Sequence, residues 1–321
     1  MNAKVLDTAP VPPASAGAPP VLVQDLRKSY GTVRAVDGLS FEVQPGEVFG
    51  LLGPNGAGKT TTVEILVGLR DADGGRAQVC GLDPAARSRD VKQRIGVALQ
   101  STALPDKLRV REALVLFAGF YARSADVDEL LTTVSLGEKA GHSFDSLSGG
   151  QKQRLAVALA LVNDPEVVIL DEPTAGLDPQ ARRDLHEVIG RLRQRGRTVI
   201  LTTHYIEEAE RLCDRVAIID HGRLIALDAP RRIVAQSHSA ARIEFRTAAP
   251  LDPTALRQVP FADSVAVEGD AYVLRTGNVA RAAVALIKWL EAGGHELLDL
   301  YIARPTLEDV FIERTGRRIR E

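Results

Sequence analysis

A chain of 321 residues exceeds the size at which one hydrophobic core usually stops growing, so a large domain with a smaller appendage is expected. Hydrophobic residues make up 45% and charged residues 26%, which excludes disordered and fibrous classes. The formal net charge is −2 with both signs interleaved, so no global attraction for nucleic acid or anionic lipid exists.

Residues 1–20, ending in Pro19-Pro20, are rich in Pro and Ala and lack the basic start and apolar run of a signal peptide. They read as a disordered extension. Val21 to Val43 alternates apolar and polar residues around Tyr30-Gly31, which predicts short antiparallel strands. Glu47 to Leu52 reads as a buried strand that runs into a glycine-rich loop, Gly53 to Gly58, and a helix from Lys59 to about Leu69. The pattern from Arg70 to Ser143 is mixed, with a strand near Ile95–Leu99 and helices over Val110–Ala122 and near Asp126–Val134.

Regular alternation follows: helix Gln151–Val162, strand Val167–Leu170, helix Pro179–Arg195, strand Thr198–Thr202, helix Ile206–Leu212 and strand Val216–Ile219. Strands and helices in this order predict a parallel sheet covered on both faces. A strand pair turning at Gly222-Arg223 closes the unit near Asp228, with a helix around Arg231–Gln236 and a linker over Ser237–Ala240. Beyond it, strand Ala241–Arg246, helix Thr254–Val259, strands Val265–Val267 and Ala271–Arg275, helix Val279–Ala292 and strand Glu296–Ile302 form a split βαβ pattern, a ferredoxin-like layer. A last helix over Thr306–Arg314 opens with Thr306 and Asp309 spaced for mutual capping. The domains are therefore an extension at 1–20, a main domain at 21–236 and an α+β accessory domain at 241–316. Leu155–Val162 and Ala113–Ala122, the most apolar segments, fall short of the roughly 18 residues that cross a bilayer. The two cysteines, Cys80 and Cys213, fit a reducing compartment and buried packing.

Gly53-Pro54-Asn55-Gly56-Ala57-Gly58-Lys59-Thr60 has the spacing of a phosphate-binding loop between a strand and a helix. Its glycines let backbone N–H groups converge on phosphate oxygens. Lys59 reaches the β- and γ-phosphates, Thr60 supplies a hydroxyl to Mg²⁺, and Thr61 contacts the α-phosphate. Val167-Val168-Ile169-Leu170 then delivers Asp171 and Glu172 at the C-terminal end of a strand, where parallel sheets place their ligands. Asp171 suits a water-mediated hold on Mg²⁺, and Glu172 suits orienting and polarising the attacking water.

Leu147-Ser148-Gly149-Gly150-Gln151 opens another helix, and two glycines at its start make a second anion site. All five residues match the LSGGQ signature, so the sequence from Val21 to Gln236 resembles the ATP-binding cassette (ABC) family. The resemblance implies an α/β P-loop NTPase domain, with a parallel core sheet, an antiparallel β subdomain and an α-helical subdomain. It also implies a head-to-tail homodimer holding two ATP molecules, in which Ser148, Gly149, Gly150 and Gln151 of one copy face the γ-phosphate bound by the other. By the same resemblance Tyr30 stacks on adenine, and Gln100 senses Mg²⁺ and water beside the membrane partner. Ala175-Gly176-Leu177-Asp178 links the two sites, and His204 contacts the γ-phosphate.

Residues 101–112 resemble the transporter helical subdomain that docks on a permease, and the insert carries no sustained heptads or CxxC pairs. A transport role is therefore expected over the alternative, a soluble ABC ATPase acting on nucleic acid or the ribosome. Arg304-Pro305-Thr306-Leu307-Glu308-Asp309-Val310-Phe311-Ile312 resembles the tail of daunorubicin-resistance type exporter ATPases. That resemblance implies a separate ABC-2 type permease, a place on the cytoplasmic face of the plasma membrane, and no nucleic-acid partner.

Overall fold

The computed structural model describes residues 18–100, 102–237 and 241–319; the reading of an extension at residues 1–17 and of a linker at residues 238–240 lies outside the described residues. The chain divides into two compact units, with the boundary between Pro230 and Arg231.

The first unit begins with strands β1 (Val21–Tyr30), β2 (Val33–Val43) and β3 (Val48–Leu52). Helix α1 (Lys59–Leu66), strand β4 (Gly74–Val79), helix α2 (Ser88–Arg94) and strand β5 (Ile95–Ala98) follow. Then come α3 (Val110–Ala118), α4 (Val127–Thr133), α5 (Gly149–Ala160), β6 (Val167–Asp171), α6 (Pro179–Gln194), β7 (Thr198–Thr203), α7 (Ile206–Leu212), β8 (Arg215–Asp220) and β9 (Arg223–Asp228). The mixed region thus holds two elements that its pattern hides, β4 and α2. α1 stops at Leu66 rather than Leu69, because Gly68 takes a positive φ of 66° that turns the chain out of the helix. α3 stops at Ala118 rather than Ala122, with Gly119 as its cap.

The core sheet has the order β5-β6-β7-β3-β8-β9, parallel except for the β9 edge. β3, β6 and β7 are buried along their whole length, which explains the apolar runs of β3 and β6; β7 keeps an apolar centre, Val199–Leu201, between buried threonines. A second, antiparallel sheet, β2-β1-β4, shares one core with it; Phe41 stacks on Phe49 at 5.2 Å, inside a cluster that includes Leu39, Leu51, Leu66 and Ile169. Each such buried side chain contributes about 1.5–3 kcal/mol. Helix α5 seats on the edge strand β5, where a Cβ on Gly96 would lie 1.6 Å from the Ala160 carbonyl oxygen. Only glycine permits that approach.

The second unit has α8 (Pro230–Ala235) at the unit boundary, then β10 (Ala241–Thr247), α9 (Pro253–Leu256), β11 (Ser264–Glu268), β12 (Ala271–Thr276), α10 (Val279–Ala292), β13 (Leu297–Ala303) and α11 (Leu307–Thr315). Its sheet is antiparallel with the order β11-β12-β10-β13. Ile243, Phe245, Leu274, Leu286 and Leu290 fill its core, and the buried Tyr272 hydroxyl donates to the Leu251 carbonyl at 3.2 Å and accepts from Leu251 N–H at 2.6 Å. Thr306 caps α11, and Asp309 returns the bond to Thr306 N–H at 2.8 Å. Among the described residues no helix is long and apolar enough to cross a membrane.

Both cysteines are buried and free of disulfides. Cys213 sits over β3, where a Cβ on Gly50 would come within 2.8 Å of its Sγ. Burial pushes the Cys80 thiol up to about 12 and raises the Cys213 thiol as well. A thiol raised in this way contributes stability that is complete below its unfolded value of 9.0 and is lost as pH rises through the folded value. At pH 8 the native protein should therefore show no titratable thiol towards a disulfide reagent, and two after denaturation. Rapid labelling of the native protein at that pH would contradict the burial argument.

Candidate nucleotide site

The loop from Gly53 to Gly58 follows β3 and is clamped from three directions. Gly53 N–H donates to the Thr203 carbonyl at 3.3 Å, and Gly222 N–H donates to the Ala57 carbonyl at 3.0 Å. Gly58 has φ 101°, and a Cβ there would lie 2.2 Å from the Ala35 carbonyl oxygen. Gly53 is equally crowded, against the Ile219 carbonyl. These two glycines are demanded by packing, whereas Gly56, at φ 79°, is demanded by its turn. Pro54 and Ala57 are buried, while Asn55, Gly56 and Thr60 face outward, and Thr61 is half-buried in the first turn of α1.

Lys59 is 96% removed from solvent and donates to the carbonyls of Gly53 at 2.7 Å and Pro54 at 3.1 Å. Its ammonium also pairs with Glu172 Oε1 at 3.1 Å. Burial lowers its pKa from the usual lysine value, and the Glu172 and Asp171 charges oppose that shift. Glu172 Oε2 meets His204 Nδ1 at 3.1 Å, so one carboxylate bridges the lysine and the histidine. The backbone of Glu172 has φ 46°, a left-handed conformation that costs a non-glycine residue about 1–3 kcal/mol. Lys59, His204 and a bond from Glu172 N–H to Thr202 Oγ1 at 2.9 Å hold it there.

Thr202 also donates to Asp171 Oδ1 at 2.5 Å. Asp171 is buried, and desolvation raises its pKa against hydrogen bonds from Thr202 and Thr60. A buried carboxylate beside two hydroxyls is an all-oxygen donor set of the kind Mg²⁺ prefers. Among the described residues no group of three His, Cys, Asp or Glu side chains could hold a metal. A metal at Asp171 and Thr60 would thus depend on phosphate oxygens and water for the rest of its shell. Gln100 lies exposed just beyond β5, at the same sheet end, and takes no part in this hydrogen-bonded cluster.

The fold therefore gathers Lys59, Thr60, Asp171, Glu172 and His204. It does not bring Tyr30 or the signature residues into that cluster. Tyr30 stands at the end of β1, partly exposed, with the Arg70 guanidinium 5.1 Å from its ring centre and Lys28 Nζ at 5.9 Å. Ser148 caps α5, which begins at Gly149 rather than Gln151. Gln151 N–H donates to Ser148 Oγ at 3.3 Å, and Gln151 Oε1 accepts from Ser148 N–H at 3.0 Å. The N–H groups of Gly149 and Gly150 make no hydrogen bond among the described residues. Asp178 caps α6 through bonds from Gln180 and Ala181 N–H, both at 2.9 Å. A Cβ on Gly150 would lie 2.6 Å from that of Ala181, so the starts of α5 and α6 pack together. The order β3-β7-β6-β5 places three strand spacings, about 14 Å, between the strand that feeds the phosphate loop and the strand on which α5 rests.

Thr202 escapes a reading of the sequence. The register Asp171↔Thr202 places its hydroxyl beside Asp171, because neighbouring parallel strands end together there. Its position two residues before His204 is the only local signal.

The ABC transporter family model matches residues 36–175. The Nod factor export ATP-binding protein I of Burkholderia pseudomallei (strain 1710b) is 43% identical over 308 residues, covering 94% of this chain and 98% of that protein. The chain belongs to the ABC transporter ATP-binding protein family. A relative of the same name from Rhizobium sp. (strain N33) is 40% identical, over 92% of this chain and 96% of that one. Among solved structures, an ATP-binding subunit of an ABC transporter has a TM-score of 0.60 at 29% identity and covers 67% of this chain and 92% of its own. A dimeric bacterial ABC transporter cassette has a TM-score of 0.57 at 26% identity, covering 65% and 98%. As a member of this family the chain binds and hydrolyses ATP.

Proposed function

We propose that this ABC ATPase is the nucleotide-binding subunit of an ABC-2 type exporter. In this reading it works as a head-to-tail homodimer on the cytoplasmic face of the membrane and drives a drug-like or hydrophobic compound through a separate permease. The observation that carries the reading is the splitting of the phosphate-directed groups. Lys59, Glu172 and His204 converge on one place, while the free N–H groups of Gly149 and Gly150 stand some three strands away. A second copy in reversed orientation brings its α5 to the first copy's loop. The solved dimeric cassette, 26% identical to this chain, supports pairing of two copies.

Within the site, Lys59 balances phosphate charge, and Thr60, Asp171 and Gln100 would hold Mg²⁺, which supplies further charge neutralisation when bound. Glu172 takes a proton from the attacking water, and His204 fixes the Glu172 carboxylate through Nδ1. Tyr30 offers its ring to adenine. Asp178, by capping α6 against α5, sets the loop between the two sites.

The export assignment is supported by the relatives, which are named for Nod factor export and align over both units of this chain. A groove of about 430 Å³ between β5, α3 and α5, with Leu69, Phe117 and Tyr121 among its lining residues, supports docking of a permease helix. Val115, Leu116 and Phe120 on α3 and the turn after it are also exposed. Purification of the full chain from membranes should carry along one multi-spanning permease, and compounds that this permease exports should stimulate ATP turnover. Co-purification of DNA or ribosomes in its place would favour the nucleic-acid alternative.

A further inference from the structure

Glu208 lies on α7, 2% exposed, and its hydrogen bonds among the described residues go to Thr174, His186 and Thr203 rather than to the phosphate loop or Asp171. Its carboxylate nonetheless joins three segments of the cassette. Thr174 Oγ1, two residues beyond Glu172, donates to Oε1. Thr203 Oγ1, one residue before His204, donates to Oε2 at 2.8 Å. His186 Nε2, on the buried face of α6, meets Oε1 at 3.3 Å, and its Nδ1 has no hydrogen-bond partner among the described residues. The Thr203 hydroxyl also accepts from Tyr205 N–H at 2.9 Å, so both sides of His204 are tied to the same point.

We infer that Glu208 is the positioning residue of the hydrolysis site, holding the loop after Glu172 and the strand end before His204 in one register. The inference rests on the roles proposed above for Glu172 and His204. Each carboxylate oxygen serves a different segment, so neither can shift without breaking a bond to a buried anion. Burial works to raise the Glu208 pKa, but hydrogen bonds from His186, Thr174 and Thr203 hold it below the usual glutamate value. The group is thus an ionised acceptor with donors on both oxygens. The hold extends onward: Ala175 N–H donates to the Glu172 carbonyl at 3.1 Å and Leu177 N–H to the Thr174 carbonyl at 3.2 Å, so anchoring Thr174 sets the turn up to Asp178. Arg182 adds a longer contact, with Nε 3.9 Å from Oε1, and stacks on Tyr205, which in turn lies against the His204 ring at 4.1 Å.

Glu208→Gln keeps the shape and replaces one acceptor oxygen with an amide donor that faces a hydroxyl. Turnover is expected to fall about 10- to 100-fold while ATP affinity stays within about twofold, because the reacting groups are displaced and the phosphate loop is not. The decisive readout is a double-mutant cycle with Glu172→Gln in single-turnover hydrolysis. A residue that acts through Glu172 adds little further loss in that background, whereas a residue that merely stabilises the fold lowers the residual rate by the same factor in both. Unchanged turnover in Glu208→Gln, or equal losses in both backgrounds, would overturn the assignment. If Glu208→Gln fails to fold, Thr174→Val and Thr203→Val each remove one strap at constant volume; full turnover in both would overturn the assignment as well. Full turnover in Glu172→Gln would instead remove the proposed roles of the site itself.

Discussion

Glu172→Gln should reduce ATP turnover by about 10²–10⁴-fold, the range expected for loss of a positioned general base, while nucleotide binding persists. The amide fills the space of the carboxylate and retains one acceptor, so the strained backbone at φ 46° and the contact with His204 have no reason to collapse. What disappears is the basicity needed to take a proton from water, together with the charge that pairs with Lys59. Freed of that partner, Lys59 has one fewer oxygen competing with phosphate. ATP affinity should therefore stay level or rise, and the dimer closed on ATP should accumulate because its exit by hydrolysis is blocked. Steady-state turnover, equilibrium nucleotide binding and light scattering with and without ATP test the three parts. Normal turnover in this variant removes Glu172 from the water-activating role.

A mixture of two inactive variants should recover activity. Lys59→Ala removes the phosphate-loop cation, and Gly149→Asp puts a carboxylate at the signature's anion-facing helix start. The second change is sterically free, since a Cβ at Gly149 meets nothing within 4 Å, and an acid in the first turn suits the helix. Its harm is confined to an approaching phosphate. In a head-to-tail dimer of one copy of each, both defects fall in the same site, and the other site has a normal loop and a normal signature. With random pairing at equal concentrations and independent sites, about a quarter of normal turnover returns. If mixed dimers form and no activity returns, or if Gly149→Asp is active alone, the signature does not complete the second copy's site.

Local chemistry was legible because it is written in short-range spacing. The phosphate loop, the apolar run ending in Asp171-Glu172 and the capped start of α5 each need particular residue types at fixed offsets, whatever surrounds them. Helix α10 was equally plain, since its apolar period runs unbroken over Val279–Ala292. β4 and α2 were not. β4 begins with Gly74-Gly75 and buries only Ala77 and Val79, and α2 buries only Val91, so neither shows a clear hydrophobic period.

Motif and order alone single out the residues proposed to handle phosphate: Lys59, Thr60, Asp171, Glu172 and His204. How those residues are held is a matter of three-dimensional packing. Thr202 bonds Asp171 because β6 and β7 end in register, and Glu208 reaches Thr174 and Thr203 because α7 packs against β7 and α6. Gly58 and Gly53 owe their identity to carbonyls of Ala35 and Ile219, distant in sequence. The physical reason is one of range. A backbone cradle or a helix cap is made within a few residues, whereas the orientation of a buried carboxylate depends on hydrogen-bond donors that only the sheet order and helix packing bring within about 3 Å of it.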